Sequence, residues 1–306
     1  MTPIDRFLEK KIAERKEQGL LRTLSVNKAA ADFVSNDYLG LARSKELSAL
    51  IDARHRELGV HNGSSGSRLL SGNTTYAGQV EAKLSRLFKS ESSLIFNSGY
   101  SANLAVLSAI PQKGDTILYD VLAHTSIKDG ARLSLAARHS FRHNDLADLE
   151  SKLRSSTGKR FIAVESIYSM DGDECPLKEL NDLAHKYEAA IILDEAHSTG
   201  VRGPQGAGVS VEQNLHHEIF ARIYTFGKGM GVHGACVAGS GTLIEYLVNF
   251  ARPFIYTTAL PQHGIVSIDC AFEYLAAHMG LQKKLKERID LYRSGTAAAK
   301  NRTPSV

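Results

Sequence analysis

The sequence predicts an α/β fold, a mostly parallel sheet flanked by helices. Two observations carry that prediction. Short apolar runs rich in β-branched residues alternate with longer stretches of helical periodicity, the pattern of strand–helix–strand units. The composition, 43% hydrophobic and 23% charged over 306 residues, gives enough apolar material for a sizeable core; a disordered tail, a fibre and a low-complexity scaffold are excluded.

The elements follow in order. Residues 1 to about 18 read as one amphipathic helix, because Ile4, Phe7, Leu8 and Ile12 recur at helical spacing among charges. A short apolar run at 32–40 then ends in turn residues. The stretch GSSGSRLLSG (63–72) is rich in small residues but carries the apolar pair Leu69 and Leu70, so it is more than a linker. A helix is expected from about Tyr76 to Lys89, a strand at 93–96, and a helix opening at Gly99 and Tyr100. A strand at 116–119 precedes a helix that runs on past His124. Further strands fall at 161–164, 190–193, 222–225 and 234–238, with a helix at 177–187. No internal repeat interrupts this order.

Charge and cysteine usage narrow the partners. Lys and Arg number 37 against 33 Asp and Glu, and the basic residues are scattered, so no nucleic-acid groove is indicated. No run approaches the roughly 18 apolar residues of a membrane span. The opening MTPIDRFLEKKIAERK lacks the apolar centre of a signal peptide. Cys175, Cys236 and Cys270 are odd in number and far apart, which fits reduced thiols in a cytoplasmic protein.

In such sheets ligands gather beyond the carboxyl ends of the strands, so the residues after 96, 119, 164, 193 and 225 are the place to look. After Phe96 comes NSGYSAN (97–103), where Gly99 at a strand-to-helix turn lets backbone N–H groups approach a phosphate; an N-capped helix with no ligand is the plainer reading. After Tyr119 comes His124, an acid/base, a flat partner for an aromatic ring, or simply a surface-loop histidine. Asp194 directly follows four apolar strand residues and so is expected to be buried, which is costly for a carboxylate without a cation or strong donor. His197 returns three residues later toward the same cavity; a metal is the rival reading, but no third ligand lies nearby. After Thr225, Lys228 stands between Gly227 and Gly229 in an apolar stretch, a setting that lowers an amine's pKa and frees it to attack a carbonyl. A phosphate-binding lysine is the alternative, and the order G-x-x-x-x-G-K-[ST] is missing.

Together these residues have one chemical reading. Pyridoxal 5′-phosphate needs a Schiff-base lysine, a carboxylate on its ring nitrogen, a helix N-terminus for its phosphate and a flat group over the ring. The chain supplies each at a strand end.

Six motifs in order then resemble the α-oxoamine synthase family, fold-type I pyridoxal-phosphate enzymes, from about Arg22 to Pro261: SNDYLG (35–40), GSSGSRLLSG (63–72), SMDGD (169–173), DEAHSTG (194–200), TFGKGMG (225–231) and YTTALP (256–261). The resemblance implies a three-layer large domain with a mostly parallel central sheet. It implies that Lys228 bonds the cofactor and shuttles the α-proton, that Asp194 pairs with the ring nitrogen, that His197 and Ser169 hold the ring hydroxyl, and that His124 stacks on the ring. The amides of Gly99 and Tyr100, with Thr225, would hold the phosphate. Thr257 and Thr258 match positions that reach the phosphate of a neighbouring subunit, which implies a homodimer with shared sites. Arg22 and Asn36 match positions near the substrate.

The activity so implied is an acyltransferase one, the decarboxylating condensation of an amino acid with an acyl-CoA or acyl-carrier-protein thioester to an α-amino ketone. The motifs at 35–40 and 63–72 look most like the branch that joins alanine to a pimeloyl thioester in biotin synthesis. The branches using glycine with an acetyl donor or serine with a palmitoyl donor share the cofactor residues. An aminotransferase-like enzyme and an inactive partner subunit also stay open, though the latter would be expected to lack Lys228. The family comparison divides the chain into an N-terminal helix and extension (1–50), a cofactor-binding large domain (51–262) and the helical start of a small C-terminal domain (263–306). Family members continue past residue 306 to an arginine for the substrate carboxylate, so a truncated chain or a damaged substrate site is expected.

Overall fold

The structure, a computed structural model, describes residues 1–26, 32–59 and 61–300, with side chains to 295. Residues 301–306, at the end of the expected unfinished domain, lie outside them. The chain divides into two compact units, Met1–Ser35 and Asn36–Val306.

The first unit holds α1 (Pro3–Glu17). Its start is a capping box in which Thr2 accepts from the Asp5 amide and Asp5 answers on the Thr2 amide. The expected helix is there, but Ile4, Phe7, Leu8 and Ile12 are all exposed. Arg22 lies in the irregular stretch after it and is likewise exposed.

The second unit runs α2 (Lys45–Glu57), α3 (Thr75–Leu87), β1 (Ser92–Phe96), α4 (Gly99–Ala109), β2 (Thr116–Asp120), α5 (Thr125–Leu133), β3 (Ala137–Phe141), α6 (Leu146–Ser155) and β4 (Arg160–Glu165). It continues α7 (Leu177–Lys186), β5 (Ala189–Asp194), α8 (Val209–Glu212), β6 (Ala221–Thr225), β7 (Ala235–Gly239), α9 (Gly241–Phe250), α10 (Arg252–Ile255), α11 (Gln262–Ala277) and α12 (Gly280–Lys300). The strands form one sheet of order β1-β7-β6-β5-β4-β2-β3. β7 runs antiparallel to both β1 and β6, and every other pairing is parallel.

Both faces of the sheet are covered, which makes three layers. Alternation along β1 sends Leu94 and Phe96 to one face and Ile95 to the other. On the first face Phe96, Ile117, Ala163, Ile192 and Ile223 meet α4, α5 and α9 through Val106, Ile127 and Leu247. On the second, Tyr224 and Cys236 meet α2, α3 and α11, while Ile162, Val164 and Leu193 meet α6 and α7. All three cysteines are buried and free of disulfides. Among the described residues no helix is long and apolar enough to cross a membrane.

This topology positions the site. All strands but β7 point the same way, so β1, β2, β4, β5 and β6 end on one edge. The loop from β6 to β7 can be short because those two are antiparallel. It is drawn closed by Phe226 N–H to Gly234 O (2.9 Å) and Gly231 N–H to Lys228 O (2.9 Å). Gly231 has φ +66°, and a Cβ there would stand 2.3 Å from the Ala42 amide nitrogen, so only glycine closes this loop.

Candidate active site

Burial at the strand ends makes the chemistry. Asp194 closes β5 and is 4% exposed. Its Oδ2 accepts from Asn103 Nδ2 at 2.6 Å and its Oδ1 from the Ala196 amide at 2.9 Å, which are the donors a buried carboxylate requires. Lys228 stands on the closed loop, near enough for the Asp194 charge to act on its amine. Burial drives the Lys228 amine below its ordinary pKa, against the opposing pull of the Asp194 and Glu165 charges.

Lys228 Nζ lies 2.7 Å from His197 Nε2, and His197 Nδ1 lies 2.6 Å from the Tyr38 hydroxyl. Burial, then the neighbouring Lys228 and His124, push His197 down to about 4, so the ring is neutral at pH 7. A protonated Lys228 donates to Nε2, which leaves the ring proton on Nδ1 for the Tyr38 oxygen. Tyr38 in turn donates to Asn36 Oδ1 at 3.1 Å. Asn36 is thus connected to Lys228 through two side chains.

His124 ends the turn after β2. Its Nδ1 lies 2.7 Å from Ser126 Oγ, which also accepts from Asn103 Nδ2 at 3.0 Å, so one asparagine ties the His124 side of the cavity to Asp194. The His124 amide donates to Glu165 Oε1 at 2.5 Å. Glu165 ends β4 in register with Asp194, and burial followed by the Asp194 charge pushes its carboxyl up to about 8. One of two adjacent acids is therefore held protonated at neutral pH.

At the end of β1, Ser98 caps α4 on the Ser101 amide (3.2 Å) and leaves the first turn at Gly99 and Tyr100 open toward β6. A Cβ on Gly99 would stand 2.1 Å from Thr225 Oγ1. That hydroxyl is buried and has no hydrogen-bond partner among the described residues. An orphan donor, a seat that a methyl would fill and a helix N-terminus together suit a phosphate. The rest suits the ring of pyridoxal phosphate: an amine for its aldehyde, a carboxylate for its nitrogen and an imidazole for its face. The residues fit the group.

The structure places Lys228, His197, Asp194 and His124 around one cavity and sets Gly99 against Thr225. Ser169 is exposed on the hairpin 167–174 that follows β4, outside the buried cluster. The Tyr100 side chain points its hydroxyl to Asp129 Oδ2 (2.6 Å). Thr257 Oγ1 and the Thr258 carbonyl accept from Asn97 Nδ2 at 3.3 and 2.9 Å, beside the end of β1. Thr257 and Asn97 line a cavity of about 220 Å³ with the 63–72 loop. The sequence reading missed Asn103, Glu165 and Tyr38. Each left a signal: a polar residue inside the apolar run of α4, an acid after four apolar strand residues, and a tyrosine in the motif that also supplied Asn36.

The comparisons agree with this geometry. A family model for aminotransferase class I and II matches residues 30–304. An 8-amino-7-oxononanoate synthase of Emericella nidulans is 39% identical over 308 residues, covering 94% of this chain and 75% of its own length. One from Marinobacter nauticus is 39% identical over 279 residues, covering 87% and 70%. Among solved structures, a serine palmitoyltransferase from S. paucimobilis with bound PLP–myriocin aldimine superposes with TM-score 0.83 at 26% identity, covering 94% of this chain and 78% of its own. The 8-amino-7-oxononanoate synthase of Francisella tularensis gives 0.76 at 29%, covering 89% and 77%. The chain therefore belongs to the aminotransferase class I and II family and, within it, to the α-oxoamine synthases of fold type I.

Proposed function

We propose that this chain catalyses the pyridoxal-phosphate-dependent condensation of alanine with a pimeloyl thioester, releasing carbon dioxide and the thiol carrier to give an α-amino ketone, as an 8-amino-7-oxononanoate synthase does. The observation that carries this reading is Lys228 Nζ, half-buried, 2.7 Å from a neutral His197 and within electrostatic reach of Asp194. Relatives of that name at 39% identity over most of the chain support the substrate pair.

The bound cofactor supplies an electron sink for the pair left at the substrate's Cα. Everything else falls to the chain. Lys228, whose proton burial makes easier to give up, presents its amine to the cofactor aldehyde and then carries the proton lifted from Cα on Nζ. Asp194, oriented by the Asn103 side chain and the Ala196 amide, would pair with the ring nitrogen. His124 covers one face of the ring. His197 and Ser169 hold the ring hydroxyl. The Gly99 and Tyr100 amides and the Thr225 hydroxyl hold the phosphate. Asn36 faces the substrate, and Thr257 and Thr258 serve the phosphate of a second subunit in a homodimer.

We assign cofactor binding to the large domain 51–262, preceded by the extension 1–50 and followed by a C-terminal portion from 263, and place the protein in the cytoplasm. The test is release of the thiol carrier from glycine, alanine and serine, each with short, pimeloyl and long acyl thioesters. Turnover of alanine with pimeloyl donors is expected. Turnover confined to serine with long chains would assign the serine palmitoyltransferase activity instead, a reading favoured by the higher structural similarity to that enzyme.

A further inference from the structure

One charged cluster beside the site has no part in the reaction described above. His143, in the turn after β3, lies between two carboxylates: its Nδ1 is 2.9 Å from Asp120 Oδ1 and its Nε2 is 2.7 Å from Asp173 Oδ2. Asp120 is fully buried at the end of β2, where it also accepts from the Leu122 amide (2.8 Å) and the Asn144 amide (2.9 Å). It thereby shapes the turn that leads to His124. Asp173 belongs to the 167–174 hairpin, which is closed by Tyr168 N–H to Asp173 O (3.0 Å) and Gly172 N–H to Tyr168 O (3.0 Å). The Tyr168 ring packs edge-on against His143, with centroids 4.5 Å apart. Ser169 is the next residue.

An imidazole facing two carboxylate oxygens makes both bonds only when both nitrogens carry protons. We propose that His143, as an imidazolium, is a positioning residue that fastens the Ser169 hairpin to the His124 turn, so that both elements meet the cofactor in register. The groups that face it are Asp120 from β2, Asp173 and Tyr168 from the hairpin, with Cys175 just beyond, and the Asn144 side-chain amide, 3.3 Å from Nε2, which also donates to Asp173 Oδ2 at 2.9 Å. Burial disfavours the charged ring, and the two carboxylates together outweigh it and raise the pKa, which favours the imidazolium that the two contacts require. The hairpin's consequence for the cofactor rests on the Ser169 reading given above; the pin itself does not.

The test uses the cofactor-loaded full chain as wild type, His143→Gln, Asp173→Asn and Ser169→Ala. Chymotryptic cutting at Tyr168 and Met170 is followed by mass spectrometry, and the apparent Kd for pyridoxal phosphate by absorbance titration between roughly pH 7 and pH 9. His143→Gln is expected to speed hairpin cutting several-fold and to weaken cofactor binding about tenfold near pH 7, the loss of one charge-assisted bond. The gap to wild type should narrow as the pH is raised and the wild-type ring begins to lose its second proton. Asp173→Asn, at the more exposed end, should reproduce both effects if His143→Gln does not fold. Wild-type cutting and affinity in both variants, or a gap that does not narrow anywhere up to the alkaline limit of the folded protein, overturns the proposal. A cut hairpin in His143→Gln with unchanged affinity in Ser169→Ala upholds the pin and removes Ser169 from the cofactor site.

Discussion

Replacing Thr225 by valine should move stability and cofactor affinity in opposite directions. The Thr225 hydroxyl is buried and unpaired among the described residues, against the backbone of Gly99. An unmet buried hydroxyl costs about 1–3 kcal/mol, and valine removes it while keeping the branched shape. The added methyl meets a tight wall at Gly99, which takes back part of that gain, so the cofactor-free protein should become more stable by about 1 kcal/mol. Pyridoxal phosphate, in contrast, loses a donor to a charged phosphate, a bond of about 1.5–3 kcal/mol, so its Kd should rise roughly tenfold to a hundredfold. Urea denaturation of the cofactor-free variant and absorbance titration with pyridoxal phosphate measure the two effects. A variant that is less stable by about 1 kcal/mol or more and binds like wild type would refute the assignment of this hydroxyl to the phosphate.

Two further predictions concern pH. His197 titrates at about 4 in the folded chain against an ordinary 6.5; as pH falls through that window the unfolded chain takes up a proton that the folded one refuses. Stability of the cofactor-free protein should therefore fall by about 3 kcal/mol between those values, and His197→Asn should flatten the slope in denaturation curves taken across it. Glu165 has the opposite sign. Its folded value of about 8 against 4.5 means that the folded chain keeps a proton the unfolded one releases, so this contribution is full below 4.5 and is lost as pH rises through 8. Glu165→Gln retains the acceptor for the His124 amide and should remove that loss; an unchanged alkaline slope in the melting temperature would place the titration elsewhere.

Much of the fold and the centre of the site were legible in the sequence because they rest on local patterns. Apolar runs bounded by turn residues marked the buried strands, and an acid or lysine just past such a run had to face a cavity. β3 escaped because it is an edge strand with Ala137, Arg138 and His139 exposed, so it carries no apolar alternation. The amphipathic reading of α1 located the helix, whereas the exposure of its apolar residues is a tertiary fact that periodicity does not encode. Glu165 obeys the same rule that singled out Asp194, but the rule says only that an acid is buried. Which donors each acid meets depends on α4, where Asn103 serves Asp194 from about 90 residues away in sequence. The relay from His197 through Tyr38 to Asn36 is equally non-local.

The central claim is that Lys228 is the residue that bonds the cofactor. Pyridoxal phosphate added to the purified chain, followed by borohydride reduction and peptide mass spectrometry, tests it directly. The reduced adduct should map to Lys228, with the yellow absorption above roughly 400 nm lost on reduction and absent from Lys228→Ala. An adduct on another lysine, or a Lys228→Ala protein that stays yellow and reducible, would contradict the assignment.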